Sequence, residues 1–433
     1  MKKIILFLFA LTFTLASCSD DDEVRLLQRD DVIIKMPQQG WVAEMGKPFI
    51  VEVECDIDQN MAYRWFLVED NEGNIIWISS DKNLNYTFKR TGSQILRLVA
   101  SQGSKSYEYN ISVTVEGKET PDGKASPYIT DVLEYVPAPG QYTNRYPFYA
   151  EGDTPMDMCN KVLDAIGNGN LGVVTLGAYG GYVVLGFDHT IKNVVGKRDF
   201  RVLGNVNDYF ENASTANIGL GGAEPGIVMV AYDKNENGRP DSDEWYEIEG
   251  SAHKNFQSEP WYDDAARAHN DLETVKDYEI TYYVPEKEPE LDTEWLTYLK
   301  WKDNLGMSGY IVKNGYHSQS YYPQWVMKDQ LIFKGTRLPQ NAIDKSGVGT
   351  LFYGYNFSYG YADNAKNDQK AATFDIDWAV DKDGNKVDLP GVDFIKIYTG
   401  VRQRYGMLGE CSTEISGIED LHVLGEDIDT ATK

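Results

Sequence analysis

The run Ile227-Val228-Met229-Val230-Ala231-Tyr232, then Asp233-Lys234-Asn235-Glu236-Asn237-Gly238-Arg239-Pro240-Asp241-Ser242-Asp243-Glu244, then Trp245-Tyr246-Glu247-Ile248 decides how this chain folds. The twelve central residues match the EF-hand calcium loop position for position. Side-chain oxygens fall at Asp233, Asn235 and Asn237, and Gly238 permits the sharp turn. Arg239 offers its backbone carbonyl, Asp241 binds directly or through water, and Glu244 offers two oxygens, with Asp243 beside it. An EF-hand needs a helix on each side. Here both flanks are β-branched and aromatic, which favours strands. The expectation is a calcium loop set between two strands, with Ca2+ in a structural role. The plainer reading is an acidic hairpin without metal. Its five acidic side chains in twelve residues would then repel one another.

Outward from this hairpin the same β character continues. Val173 to Leu176, Tyr182 to Phe187, Phe200 to Leu203, Tyr278 to Val284, Gln330 to Phe333 and Phe394 to Tyr398 all read as strands. One short helix stands out: Thr154 as cap, Pro155 in the first turn, Met158, Val162, Leu163 and Ile166 on one face, and Gly167 or Gly169 as the stop. Residues 260–305 are acidic and polar, with Trp261, Trp295 and Trp301 interspersed, and read as a long insertion or loop-rich segment. The fold class expected is mostly β: a small N-terminal β-sandwich at 28–116, a linker at 117–126, and a larger, jelly-roll-like β-sandwich at 127–425 with long loops and a tail at 426–433. Twenty-nine Tyr, nine Trp and 39 Gly in 433 residues suit short strands and turns over helical bundles.

In the small sandwich Phe49-Val51-Val53, Ile75-Trp77, Leu96-Leu98 and Ile111-Val113-Val115 alternate at period two. A Trp strand (Tyr63-Arg64-Trp65-Phe66), Tyr86-Thr87-Phe88, the Thr91-Gly92 turn and strands ending in Val-x-Val together resemble the PKD family of immunoglobulin-like domains. That resemblance implies a spacer or adhesion module, with Trp65 in its core.

The chain opens with Met1-Lys2-Lys3 and an apolar run from Ile4 to Ala16, the length of a signal-peptide core and too short to span a bilayer. Leu15-Ala16-Ser17-Cys18 is the pattern a lipoprotein signal peptidase cuts. The expectation is a signal peptide at 1–17, lipidation of Cys18, and a tether at 18–27. Ser19-Asp20-Asp21-Asp22-Glu23 is a solvated linker, and it also resembles the acidic export signal of Bacteroidetes surface lipoproteins. The expected location is the outer-membrane surface, with the membrane engaged through the lipid alone. A net charge of −26 argues against nucleic-acid partners. Cys55, Cys159 and Cys411 remain after lipidation, allowing at most one internal disulfide.

No HExxH pattern, no GxSxG elbow and no phosphate loop before a helix is present. Carboxylates abound, so glycoside hydrolysis stays open from residue types alone. A binding role fits better. His317, Gln319, Tyr321, Tyr322 and Trp325 concentrate flat faces and hydrogen-bonding tips, as ligand-stacking sites do; the alternative is that the aromatics fill a core. Asp375, Asp377, Asp381 and Asp383 are a possible second metal set, with Asp383-Gly384-Asn385 most simply a turn.

The large domain resembles a family of bacterial cell-surface proteins of Bacteroidetes and some Firmicutes. The matching stretches are Gly180 to Phe187, Glu224 to Val228, the calcium-like loop into Trp245-Tyr246-Glu247, His317 to Trp325, Gly335 to Leu338, Asp375 to Val380, Ile397 to Gly400 and Ser412 to Gly417. Some members are associated with cobalamin-transport loci. The resemblance therefore implies nutrient capture beside a TonB-dependent transporter, with a corrinoid as ligand. A surface glycan-binding protein or adhesin is the alternative.

Overall fold

A computed structural model describes residues 27–35, 40–44, 47–57, 60–68, 75–88, 92–116, 125–207, 220–254 and 256–430. The signal peptide, Cys18 and the acidic run after it lie outside the described residues.

Period-two alternation gives the small sandwich its two layers. One is a five-stranded sheet in the order Val42–Glu44, Lys105–Glu116, Gly92–Gln102, Ala62–Val68, Ile75–Ser79. It is antiparallel except where Val42–Glu44 runs parallel to Lys105–Glu116. Against it pack the strand pairs Pro48–Val51 with Leu84–Thr87 and Val32–Ile34 with Val53–Cys55. Trp65 is wholly buried between the layers, and its indole N–H donates to the Asp81 carbonyl (3.1 Å). A large ring with a satisfied polar edge fills the middle of so small a core.

The large domain is built on a six-stranded antiparallel sheet in the order Asp131–Val136, Tyr182–Lys192, Gly391–Thr399, Gly226–Ala231, Trp245–Ile248, Ala379–Val380. Its inner strands are buried along nearly their whole length, because both faces are covered. Val183, Leu185, Val228, Ile395 and Ile397 point to one side. There they meet the helix Pro155–Ile166 and a three-stranded sheet of Thr373–Phe374, Phe200–Leu203 and Gly417–Asp420. The alternate residues Tyr182, Ile227 and Tyr398 point to the other side. That face is covered by a four-stranded sheet, Ser308–Ile311, Leu299–Asp303, Val275–Tyr283, Gln330–Arg337, and by the smaller sheet that includes Ala342–Asp344 and Phe352–Tyr355.

The helix starts as its sequence dictates. Thr154 accepts from Asp157 N (3.1 Å), the Asp157 carboxylate accepts from Thr154 N (2.8 Å), and Pro155 fills the first turn. Gly167 ends it. Two shorter helices, Tyr262–Arg267 and Leu421–Leu424, accompany it. The segment 260–305 is more ordered than its polarity suggests: it supplies two adjacent strands of the four-stranded sheet. Its polar residues face outward, while Tyr278, Ile280, Tyr282 and Leu299 face the core. Cys55, Cys159 and Cys411 are all free thiols.

Candidate functional site

The loop from Asp233 to Glu244 joins two paired strands of the central sheet, Ala231 opposite Trp245. Its anionic oxygens are held by its own backbone. Asp233 accepts from Asn237 N (3.0 Å) and Gly238 N (2.7 Å), and Glu244 accepts from Lys234 N (2.9 Å) and Asp241 N (2.9 Å). Asn235 and Asn237 both donate to the Asp241 carboxylate (2.6 and 2.8 Å), so positions three, five and nine share one centre. Gly238 takes φ +76°, the left-handed turn the sequence required. Burial, with Asp233 and Asp241 nearby, raises the Glu244 pKa. Arg239 sends its guanidinium to the Val68 carbonyl of the small sandwich (3.1 Å). Asp243 has no part in these bonds. The residue types are those Ca2+ takes, and here their oxygens serve the loop's own backbone: the Asn235 and Asn237 side-chain oxygens accept from Asn237 N and Arg239 N (3.1 and 2.9 Å).

The second acidic set needs correction: Asp375, Asp377, Asp381 and Asp383 do not converge. Asp375 is buried, caps the turn at Asp377 N (2.9 Å) and takes the Thr430 hydroxyl. Asp377 accepts from Asn193 Nδ2 (2.8 Å). Asp381 folds back on its own turn, accepting from Asp383 N and Asn385 N (both 2.9 Å). Asp375 and Asp381 close local turns, which Asp does without a metal.

The aromatic set is mostly core. Tyr321, Tyr322 and Trp325 are 0, 3 and 2% exposed. Trp325 lies near Tyr135 (5.5 Å between centroids) and Tyr149 (6.0 Å), so its ring faces are taken. Gln319 is spent on the Gln141 carbonyl. His317 packs edge-on to Tyr142 (4.9 Å), and its burial together with Arg145 lowers its pKa.

A different place offers open aromatic surface. A cleft of about 360 Å³ lies between the hairpin of Leu299–Asp303 and Ser308–Ile311 and the segment 401–411 after the strand Gly391–Thr399. The hairpin turns Trp301, half-buried, toward the cleft on the same face as Gly309, while Tyr310 pairs with Lys300 on the hairpin's outer face; Tyr179 and Tyr282 also line the cleft. Gly309 sits where a Cβ would come within 2.6 Å of the Trp301 ring, so only glycine lets the indole lie across the hairpin. Arg402 stacks over that indole, 4.8 Å from its centroid. Glu410 is 7% exposed; its Oε1 accepts from Gln141 N (2.6 Å), while Oε2 has no partner. Burial pushes the Glu410 pKa up to about 7. A second, more open groove on the small sandwich includes Arg29, Trp41 and Tyr109, but there the Tyr109 hydroxyl is already committed to the Arg29 carbonyl (2.7 Å).

Beneath the cleft three carboxyl groups, Glu224, Asp363 and Glu414, lie with oxygens within 4.8 Å of one another. Ser412 N donates to Glu224 (3.0 Å), Glu414 N donates to Asp363 (3.0 Å), and the Ser412 and Thr175 hydroxyls donate to Glu414 (2.7 and 3.1 Å). Burial first, then repulsion from the neighbouring carboxylates, raises Glu224 and Asp363; burial raises Glu414 to about 7 against the hydrogen bonds from Ser412 and Thr175. Among the described residues no Lys or Arg pairs with them. Sequence reading missed both the cleft and this cluster. Glu224 and Glu414 do fall in the stretches Glu224 to Val228 and Ser412 to Gly417 that carry the family resemblance.

No protein-family model matches the chain, and no curated protein does. Three solved structures are similar to it. A quinoprotein alcohol dehydrogenase-like protein from Bacteroides thetaiotaomicron shares 12% identity over 23% of this chain and 21% of its own, at a TM-score of 0.17. A SusE-like protein shares 10% over 92% of this chain and 99% of its own, at 0.21. A membrane-anchored protein from Corynebacterium diphtheriae shares 8% over 93% of this chain and 52% of its own, at 0.15. This chain thus spans about a fifth of the first and half of the third. At such scores the likenesses carry no argument about function.

Proposed function

We propose that this chain is a lipid-anchored cell-surface protein that binds carbohydrate without cleaving it. The observation that carries this reading is the cleft itself: Trp301, half-buried, lines it beside Arg402 and Arg404. Sugar rings bind by laying their C–H faces on aromatic rings while hydroxyls find fixed polar groups. The cleft suits one or two such rings and is small for a corrin macrocycle, so carbohydrate takes precedence over corrinoid. Glu410 is the only carboxyl in its lining, whereas hydrolysis by acid and base or nucleophile takes two. Among the described residues no helix is long and apolar enough to cross a membrane. Anchoring then rests on Cys18, and delivery of the ligand on a TonB-dependent transporter nearby. The calcium loop acts as a clip between two central strands.

The test is calorimetric titration with a panel of neutral and acidic oligosaccharides and with cyanocobalamin. Saturable binding of a sugar that Trp301→Ala loses supports the reading. Binding of cyanocobalamin and of no sugar contradicts it.

A further inference from the structure

The sugar's charge can be read from the arginines of the same cleft. This is a strongly acidic chain, with 67 Asp and Glu against 41 Lys and Arg, and many of its cations are already paired. Arg201 meets Glu419 and Glu426, Arg337 meets Asp271, Lys313 meets Glu288, and Lys197 meets Asp427 and Asp429. Arg402 and Arg404, two residues apart on one wall of the cleft, have no carboxylate partner among the described residues. Arg404 Nε donates only to the Gly406 carbonyl (3.1 Å), and Arg402 Nε has no acceptor at all. The Trp301 ring lies beneath Arg402, 4.8 Å from its guanidinium carbon, and holds that cation at the cleft wall. The one carboxyl in the lining offers little opposition. Glu410 is buried, and burial favours its neutral form.

We propose that the cleft selects an anionic sugar, one whose ring carboxylate pairs with Arg402 and Arg404 while the ring rests beside Trp301. This rests on the carbohydrate reading above and narrows it to the uronic-acid class. A carboxylate matches the arginine fork with two parallel hydrogen bonds, which a neutral hydroxymethyl group in the same place does not.

The test compares digalacturonate with digalactose by calorimetric titration of the full protein, together with the neutral panel. The wild type should bind the acid at least about tenfold tighter than the neutral sugar, and Arg402→Gln should weaken the acid by about ten- to a hundredfold and the neutral sugar by a smaller factor. Arg404→Gln should have a smaller effect of the same sign. Raising salt should weaken only the acid, a readout on the wild type that needs no variant to fold. Trp301→Ala should weaken both sugars. Equal or tighter binding of the neutral disaccharide, or salt-independent binding of the acid, would overturn the charge selection and leave the carbohydrate reading standing. Failure of every sugar to bind would overturn the carbohydrate reading itself, and this inference with it.

Discussion

Replacing Glu244 by Gln tests what the loop between the two central strands is for. In the structure both Glu244 oxygens are committed, one to Lys234 N and one to Asp241 N, each at 2.9 Å. The amide keeps one acceptor and turns an N–H toward the other donor, a loss of about 1.5–3 kcal/mol for a hydrogen bond to a charged group. Against that, the substitution relieves the repulsion from Asp233 and Asp241 that raises the Glu244 pKa, so without metal the net change is small. With metal the two cases part. Extracellular calcium modules bind at about 0.1–1 mM, so at about 2 mM calcium the wild type gains roughly 0.6–1.8 kcal/mol from RT ln(1 + [L]/Kd). For a domain of this size that moves Tm by roughly 1–5 °C. Scanning calorimetry with calcium and with chelator should show this shift in the large-domain transition and leave the small sandwich's nearly alone. Glu244→Gln should lose most of the shift. Asp233→Ala should lose it all, and should also lower Tm in chelator, since Asn237 N and Gly238 N lose their acceptor. Wild-type curves that coincide with and without chelator, together with no calcium by elemental analysis, would refute the reasoning and leave an acidic hairpin.

Trp65→Ala empties the centre of the small sandwich and should cost about 3–5 kcal/mol, read as loss of its transition in a denaturant melt while the large domain's survives. The pH profile follows from the buried acids. Glu410, Glu414, Glu224 and Asp363 all have folded pKa values raised above their unfolded ones. For Glu410 and Glu414 the contribution is fully present below about pH 4.5 and is lost as pH rises through about 7; Glu224 and Asp363 act in the same direction. At fixed calcium the large domain should therefore melt lower at pH 8 than at pH 5. The Glu410 shift alone corresponds to about 3 kcal/mol as an order of magnitude, and Glu410→Gln should flatten part of the slope. A Tm that rises across this range contradicts the prediction. Cys18→Ser should move the protein from the membrane to the soluble fraction; retention in the membrane would show a different anchor.

Much of the fold lay in local pattern. The strand Phe200–Leu203 starts and ends where its side chains indicate, Thr154 and Gly167 bracket the helix, and the strands flanking Asp233 to Glu244 overrule the helices an EF-hand needs. Polarity misled where polar groups serve the chain's own backbone. The stretch from His317 to Trp325 reads as a ligand-stacking set, yet Asn144 Nδ2 donates to the Ser320 and Tyr322 carbonyls (2.7 and 2.8 Å) and Tyr321, Tyr322 and Trp325 are buried. Asp375 and Asp381 are spaced like ligands but close their own turns. The cleft left no local trace. Trp301 and Tyr310 come from one hairpin, and Arg402 and Glu410 from a segment about a hundred residues later. Only pairing of the long strands brings them together, so no window of sequence contains the site.

The most direct test of carbohydrate binding is a crystal structure of the protein with the tightest sugar from the titration panel. The account predicts a pyranose ring in the cleft beside Trp301, with a ring substituent within hydrogen-bonding distance of Arg402 or Arg404. A sugar seated elsewhere, with the Trp301 cleft unchanged at saturating ligand, would contradict it.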